Sequence, residues 1–255
     1  LPAGLTPAEP VRVLYLDYES CVEEHQDRLA GLLAGLGLRD APPILYRQMI
    51  RPLSDDAAIL RAEISQHQIG FVIVDSLGPA CGPEPEGADA AVRTFTALRS
   101  FGAVSRLVVA HVSKAGADQR TGPARPFGSV FVQNLARNVW EVRQADDSGD
   151  DALVLGYYHR KFNSGRKLPP FGLSIEIDAA ATTLHGHDVG QQPDLLARAS
   201  LTYQLTKALT TGARTIPELV EETKGAKASI SRTLRRWRKD GKVIQVDPDR
   251  WGLKV

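Results

Sequence analysis

The chain has 255 residues, 43% of them hydrophobic and 24% charged, with a net charge of +1. That balance excludes disordered and fibrous classes and leaves room for one large or two modest domains. No apolar stretch reaches the roughly 18 to 20 residues of a membrane helix, and no basic-then-apolar leader opens the sequence.

In chain order, Val11-Arg12-Val13-Leu14-Tyr15-Leu16 predicts a buried strand that runs into Asp17-Tyr18-Glu19-Ser20. Val22 to Leu36 predicts an amphipathic helix, with Leu29, Leu32, Leu33 and Leu36 on one stripe. Ile44-Leu45-Tyr46 is a short strand. Ser54-Asp55-Asp56 is read as the cap of a helix through Ile64, with acids where the helix dipole favours them. The strand of residues 70–75 follows, its run Phe71-Val72-Ile73-Val74 stopping at Asp75-Ser76. Residues 77–88 read as a Gly/Pro-rich loop, then a helix covers Asp89 to Arg99. Arg106 to His111 is a third apolar strand, and residues 114–128 are loop. Strands at Val139–Arg143, Ala152–Tyr158 and Leu173–Ile177, separated by turn signals, predict a meander. Residues 179–199 read as a linker, in which His185 and His187 lack the Cys or acidic neighbours of a metal site.

The C-terminal block is distinct in charge. Residues 200–255 carry twelve Lys/Arg against six Asp/Glu, whereas the residues before them carry 19 against 24. A basic tail on an acidic body points to a nucleic-acid-facing module. Three short helices are expected, the second opened by Thr215 and Glu218 in capping-box spacing and the third spanning Lys227 to Lys239. A hairpin over Lys242–Val246 and Trp251 completes the order of a winged helix-turn-helix. Ile230, Leu234 and Trp237 face inward, leaving Lys227, Ser229, Arg232, Arg235, Arg236 and Arg238, with Lys242 and Arg250 on the wing, for DNA. Such modules also dock proteins.

Three strands ending in Glu19, Asp75 and His111 would converge on one rim of a parallel sheet, where ligands of open α/β sheets bind. A carboxylate such as Asp75 at the tip of an apolar strand suits Mg²⁺; the alternative is a strand-ending acid that caps the next turn. Glu19 suits the orientation of a water; the alternative is a solvated loop acid, and Asp17 could take its place unless strand alternation turns it into the sheet. No G-x-x-x-x-G-K-[ST] phosphate loop occurs in the chain.

The ordered segments 16–20 (LDYES), 72–76 (VIVDS), 108–114 (VVAHVSK), 127–142 (FGSVFVQNLARNVWEV) and 159–165 (HRKFNSG) resemble the RecA-like ATPases. The similarity is greatest to hexameric replicative helicases of the plasmid RepA kind and their phage relatives, and it covers residues 11–178. It implies an α/β fold: a RecA-like P-loop NTPase core over residues 1–178, a linker over 179–199, and a winged helix over 200–255. It makes Asp75 the Walker B acid that holds Mg²⁺, Glu19 the catalytic glutamate and His111 the sensor. Ser76, Ser113 and Lys114 join the ATP site, and Arg160 or Lys161 reaches into a neighbour's site. Residues 76–88 and 115–127 become loops that face single-stranded DNA within a hexameric ring. The Walker A loop of these relatives would lie before Leu1, so with Met49 as the only methionine the sequence reads as an N-terminally truncated piece, inactive alone. The expected function is an ATP-dependent DNA motor of the replicative helicase type. The alternatives are a RecA-like recombination or regulatory ATPase, and a non-catalytic DNA- or protein-binding accessory protein. Cys21 and Cys81, far apart, read as reduced thiols of a cytoplasmic protein.

Overall fold

Four parallel strands organise the N-terminal half: β1 (Arg12–Asp17), β2 (Ile44–Gln48), β3 (Ile69–Asp75) and β4 (Ser105–Val108). In the computed structural model, which describes residues 9–112, 126, 130–149 and 152–254, their order is β2-β1-β3-β4. The crossovers are α1 (Val22–Leu36) between β1 and β2, α2 (Leu53–Gln66) between β2 and β3, and α3 (Leu77–Cys81) with α4 (Ala88–Ser100) between β3 and β4.

Strand alternation divides the sheet into two faces. Leu14 and Leu16 stand in register with Val72 and Val74 and pack with Leu53, Leu60 and Ile64 of α2 and Ala97 and Leu98 of α4. Tyr15, Asp17, Ile73 and Asp75 point to the other face. Gly37 ends α1 at φ 65°, and the Leu38 N–H returns to the Leu33 carbonyl at 2.9 Å, the left-handed stop that glycine adopts without strain.

Three details differ from the expectation for this half, the first being that β4 stops at Val108 instead of running to His111. Pro52 rather than Ser54 precedes α2, and the Ser54 hydroxyl turns to Asp55. Residues 77–81, read as loop, form α3, because Pro79 falls in the first turn, where no N–H is required, and Leu77, Ala80 and Cys81 are buried.

After α5 (Val130–Leu135), four antiparallel strands form a second sheet in simple meander order: β5 (Asn138–Gln144), β6 (Ala152–Phe162), β7 (Phe171–Ile177) and β8 (Thr182–His187). The expected linker of residues 179–199 is a correction. It supplies β8, a single 3₁₀ turn and α6 (Pro193–Arg198), whose Leu195 packs with Tyr158, Val154 and Val189. One face of this sheet carries aromatic pairs, Trp140 stacked on His159 at 4.2 Å and Tyr157 on Phe171 at 4.8 Å.

The C-terminal unit comprises α7 (Leu201–Thr210), β9 (Arg214–Thr215), α8 (Ile216–Thr223), α9 (Lys227–Lys239), β10 (Val243–Asp247) and β11 (Arg250–Leu253). The capping box forms as expected: Thr215 Oγ1 accepts the Glu218 N–H at 3.3 Å, and Glu218 accepts the Thr215 N–H at 2.6 Å. The two-residue β9 was not foreseen; it pairs with β11 to make a three-stranded antiparallel sheet. Ile230, Leu234 and Trp237 are buried with Leu205, Leu209, Leu219 and Trp251. The three tryptophans therefore sit in the second sheet and in this core. Among the described residues no helix is long and apolar enough to cross a membrane.

Candidate functional site

The in-register pairing of Asp17 with Asp75, and of Val74 with Val108, brings the carboxyl ends of β1, β3 and β4 level. Main-chain bonds continue the alignment past the strands. The Tyr18 N–H donates to the Asp75 carbonyl at 2.7 Å, Val109 to Val74 at 2.9 Å, and Leu77 to Val109 at 2.8 Å. The peptide between Asp75 and Ser76 is cis.

At this rim the residues predicted from three separate segments meet. The buried Ser76 hydroxyl donates to Glu19 Oε1, and His111 Nε2 lies 2.9 Å from the same oxygen. The Ser76 bond and then His111 hold the Glu19 carboxyl below the usual carboxylate range, although desolvation opposes them. Glu19 is thus ionised at neutral pH. Both contacts fall on Oε1, which leaves Oε2 without a protein partner among the described residues.

Below them lies a polar network that sequence reasoning missed. Asp17 is fully buried. Its Oδ1 accepts the N–H groups of Glu19 (3.0 Å) and Ser20 (3.1 Å), while Oδ2 accepts the Tyr46 hydroxyl (2.9 Å) and lies 3.1 Å from His25 Nε2. Burial pushes this carboxyl up, but the four partners together outweigh it and hold the acid low. Tyr46 is pushed up to about 12 by burial and by Asp17. The Tyr15 hydroxyl donates to Asp75 Oδ2 at 2.6 Å; burial and that bond raise its pKa. The available signal was the alternation Tyr15-x-Asp17 in an otherwise apolar strand; nothing in the sequence marks His25 as its partner.

The donor set suits a hard cation. Asp75, Ser76 and Glu19 offer oxygen ligands, and Mg²⁺ is usually held by one or two carboxylates together with substrate phosphates and water rather than by a closed cage. No group of three or more His, Cys, Asp or Glu residues that could hold a metal occurs among the described residues, His185 and His187 of β8 included.

Arg160 and Lys161, expected to reach a neighbour's site, make bonds within their own chain. Arg160 donates to Glu141 Oε2 at 2.6 Å and to the Arg198 carbonyl at 3.0 Å, with its guanidinium 4.6 Å from the Tyr158 ring centre. Lys161 donates to the carbonyls of Gln133 and Asn134 at the end of α5, both at 3.0 Å. Strand β6 is internal to its sheet, so alternation directs Arg160 into the layer that holds the buried Glu141. Among the described residues neither cation touches the rim of its own chain. Ser113, Lys114 and residues 127–129 lie outside the described residues. So does the expected DNA-facing loop of residues 115–127, except Pro126; the other such loop, 76–88, is partly the buried α3.

On α9, Lys227, Ser229, Arg232, Arg235, Arg236 and Arg238 are exposed, as is Lys242 beyond it. Arg238 bonds to Gln245 at 3.1 Å. Lys227, Arg232, Arg235 and Arg236 have no ion pair among the described residues, and helical periodicity adds Lys239 to the outward face.

Residues 2–117, just under half of the chain, match the family model described as an AAA domain. The match supports a P-loop NTPase-type core over this segment. No curated protein matches the chain. Among solved structures, a KaiC-like protein from the hyperthermophilic archaeon Pyrococcus horikoshii OT3 aligns at 11% identity and a TM-score of 0.49, over 69% of this chain and 76% of that one.

Proposed function

We propose that the chain carries the water-activating rim of an ATP-dependent DNA-acting motor of the replicative helicase type, joined to a DNA-binding winged helix. The observation that carries this reading is the meeting of Glu19, Asp75-Ser76 and His111 at one end of a parallel sheet.

In this reading Asp75 and Ser76 would hold Mg²⁺, which neutralises charge on the phosphates when bound. Glu19, ionised and fixed through Oε1, would orient the attacking water and take its proton at Oε2. His111 bridges Glu19 to the loop after β4, so a change at the γ-phosphate would be felt there. The exposed basic face of α9 would enter a major groove or follow phosphates. Further copies of the chain, arranged in a ring, and single-stranded DNA are the proposed partners, in the cytoplasm.

The test is Glu19→Gln in the full-length protein. Hydrolysis is expected to fall by about 10² to 10⁴, the range of general-base removal, while ATP binding survives. Turnover at the wild-type rate would sink the assignment. Because the chain contains no G-x-x-x-x-G-K-[ST] loop, a second reading is a non-catalytic accessory protein that binds DNA or protein through the winged helix. DNA affinity that ignores ATP, in a full-length protein that hydrolyses none, would favour it.

A further inference from the structure

Asp17 is a wholly enclosed carboxylate beneath the rim. An acid that merely ended a strand would be satisfied by N–H groups two and three residues ahead, as in an Asx turn. Asp17 makes those two bonds, to Glu19 and Ser20, and they fix the path by which the chain leaves β1. Glu19 lies on that path. Two further partners come from separate elements, His25 of α1 and Tyr46 of β2, and they hold Oδ2 against rotation of the carboxylate. The His25 ring is itself packed between Tyr15 at 4.7 Å and Tyr46 at 5.5 Å.

We propose that Asp17 is a positioning residue for Glu19, its carboxylate held in place by His25 and Tyr46. The proposal rests on the reading of Glu19 as the carboxylate that orients water. Asp17 has no exposed surface and acts through Glu19 rather than on the substrate. Glu19 is then fixed at both ends, its main chain by Asp17 and its carboxylate by Ser76 and His111. The other acid of the rim is treated in a parallel way: Tyr15 occupies Oδ2 of Asp75 and leaves Oδ1 for a cation.

The experiment measures kcat and KM for ATP in the full-length protein for Asp17→Asn, Tyr46→Phe, Glu19→Gln and each of the first two combined with Glu19→Gln. Asp17→Asn is expected to lower kcat about tenfold to a hundredfold, the scale of a small misplacement of a reacting group, with KM changed less than about twofold. Tyr46→Phe should act in the same direction and more weakly. Neither should slow Glu19→Gln further, because a positioning residue has nothing left to position. Multiplied losses in the double variants, or a rise in KM at constant kcat, would overturn the proposal. If Asp17→Asn does not fold, the Tyr46→Phe pair decides alone. Loss of turnover in Glu19→Gln with normal turnover in Asp17→Asn and Tyr46→Phe would sink only the positioning role. Normal turnover in Glu19→Gln would remove the reading beneath it as well.

Discussion

Asp17 shows how a single buried acid acquires a cost and a purpose together. Its carboxyl is held low by the Glu19 N–H, the Tyr46 hydroxyl, the Ser20 N–H and His25, against the desolvation that would raise it. A depressed folded-state pKa adds stability that is fully present above the ordinary aspartate value of about 3.9 and is lost as pH falls through the folded value. Wild-type protein is therefore expected to lose more stability between pH 7 and pH 3 than Asp17→Asn, read as urea midpoints at both pH values. Equal losses would mean that the four bonds contribute nothing net. At this scale the sequence draws attention to Glu19, Asp75 and His111, each at or near the end of an apolar run. It does not mark their partners: His25, on a helix with no fully buried residue, looks like any solvated histidine until the fold brings Asp17 beneath it.

At the scale of elements, legibility follows the range of the forces involved. Helix α9 was readable because its Ile230, Leu234 and Trp237 stripe is local and periodic, and α8 because Thr215 and Glu218 bond within one turn. Strand β8 was not, because Thr-Thr-Leu-His-Gly-His has little strand character of its own and owes its form to six paired positions along β7. Likewise β9 exists only as the partner of β11, and the bond of Arg160 to Glu141 becomes visible only once β6 is placed inside a sheet. The local cap is open to measurement. Thr215→Ala removes the side-chain half of the capping box and should cost about 1 kcal/mol, seen as a lower urea midpoint for the C-terminal unit. An unchanged midpoint would show that the hydrophobic core around Leu219 and Trp251 holds α8 without its cap.

Across the whole molecule, the parallel sheet and the meander meet through α1. Gly31 and Gly35, one helical turn apart, let that helix lie against Thr182 at the start of β8, and a Cβ on Gly35 would fall on the Thr182 carbonyl. The same helix carries His25 to Asp17 at its other end, so one rigid rod touches both the rim and the meander. The buried residues nevertheless fall into four clusters: one on the parallel sheet, one that joins α3 and α4 to Val132 of α5, one under α6 and one in the C-terminal unit. The placement of the tryptophans then has an optical consequence. Trp140 reports the meander, Trp237 and Trp251 report the C-terminal unit, and the parallel sheet, having none, melts in the dark. Coincident transitions by emission and by circular dichroism would show that the units unfold as one cooperative block. A loss of helical signal at constant tryptophan emission would single out the parallel sheet and its rim as the part that opens first.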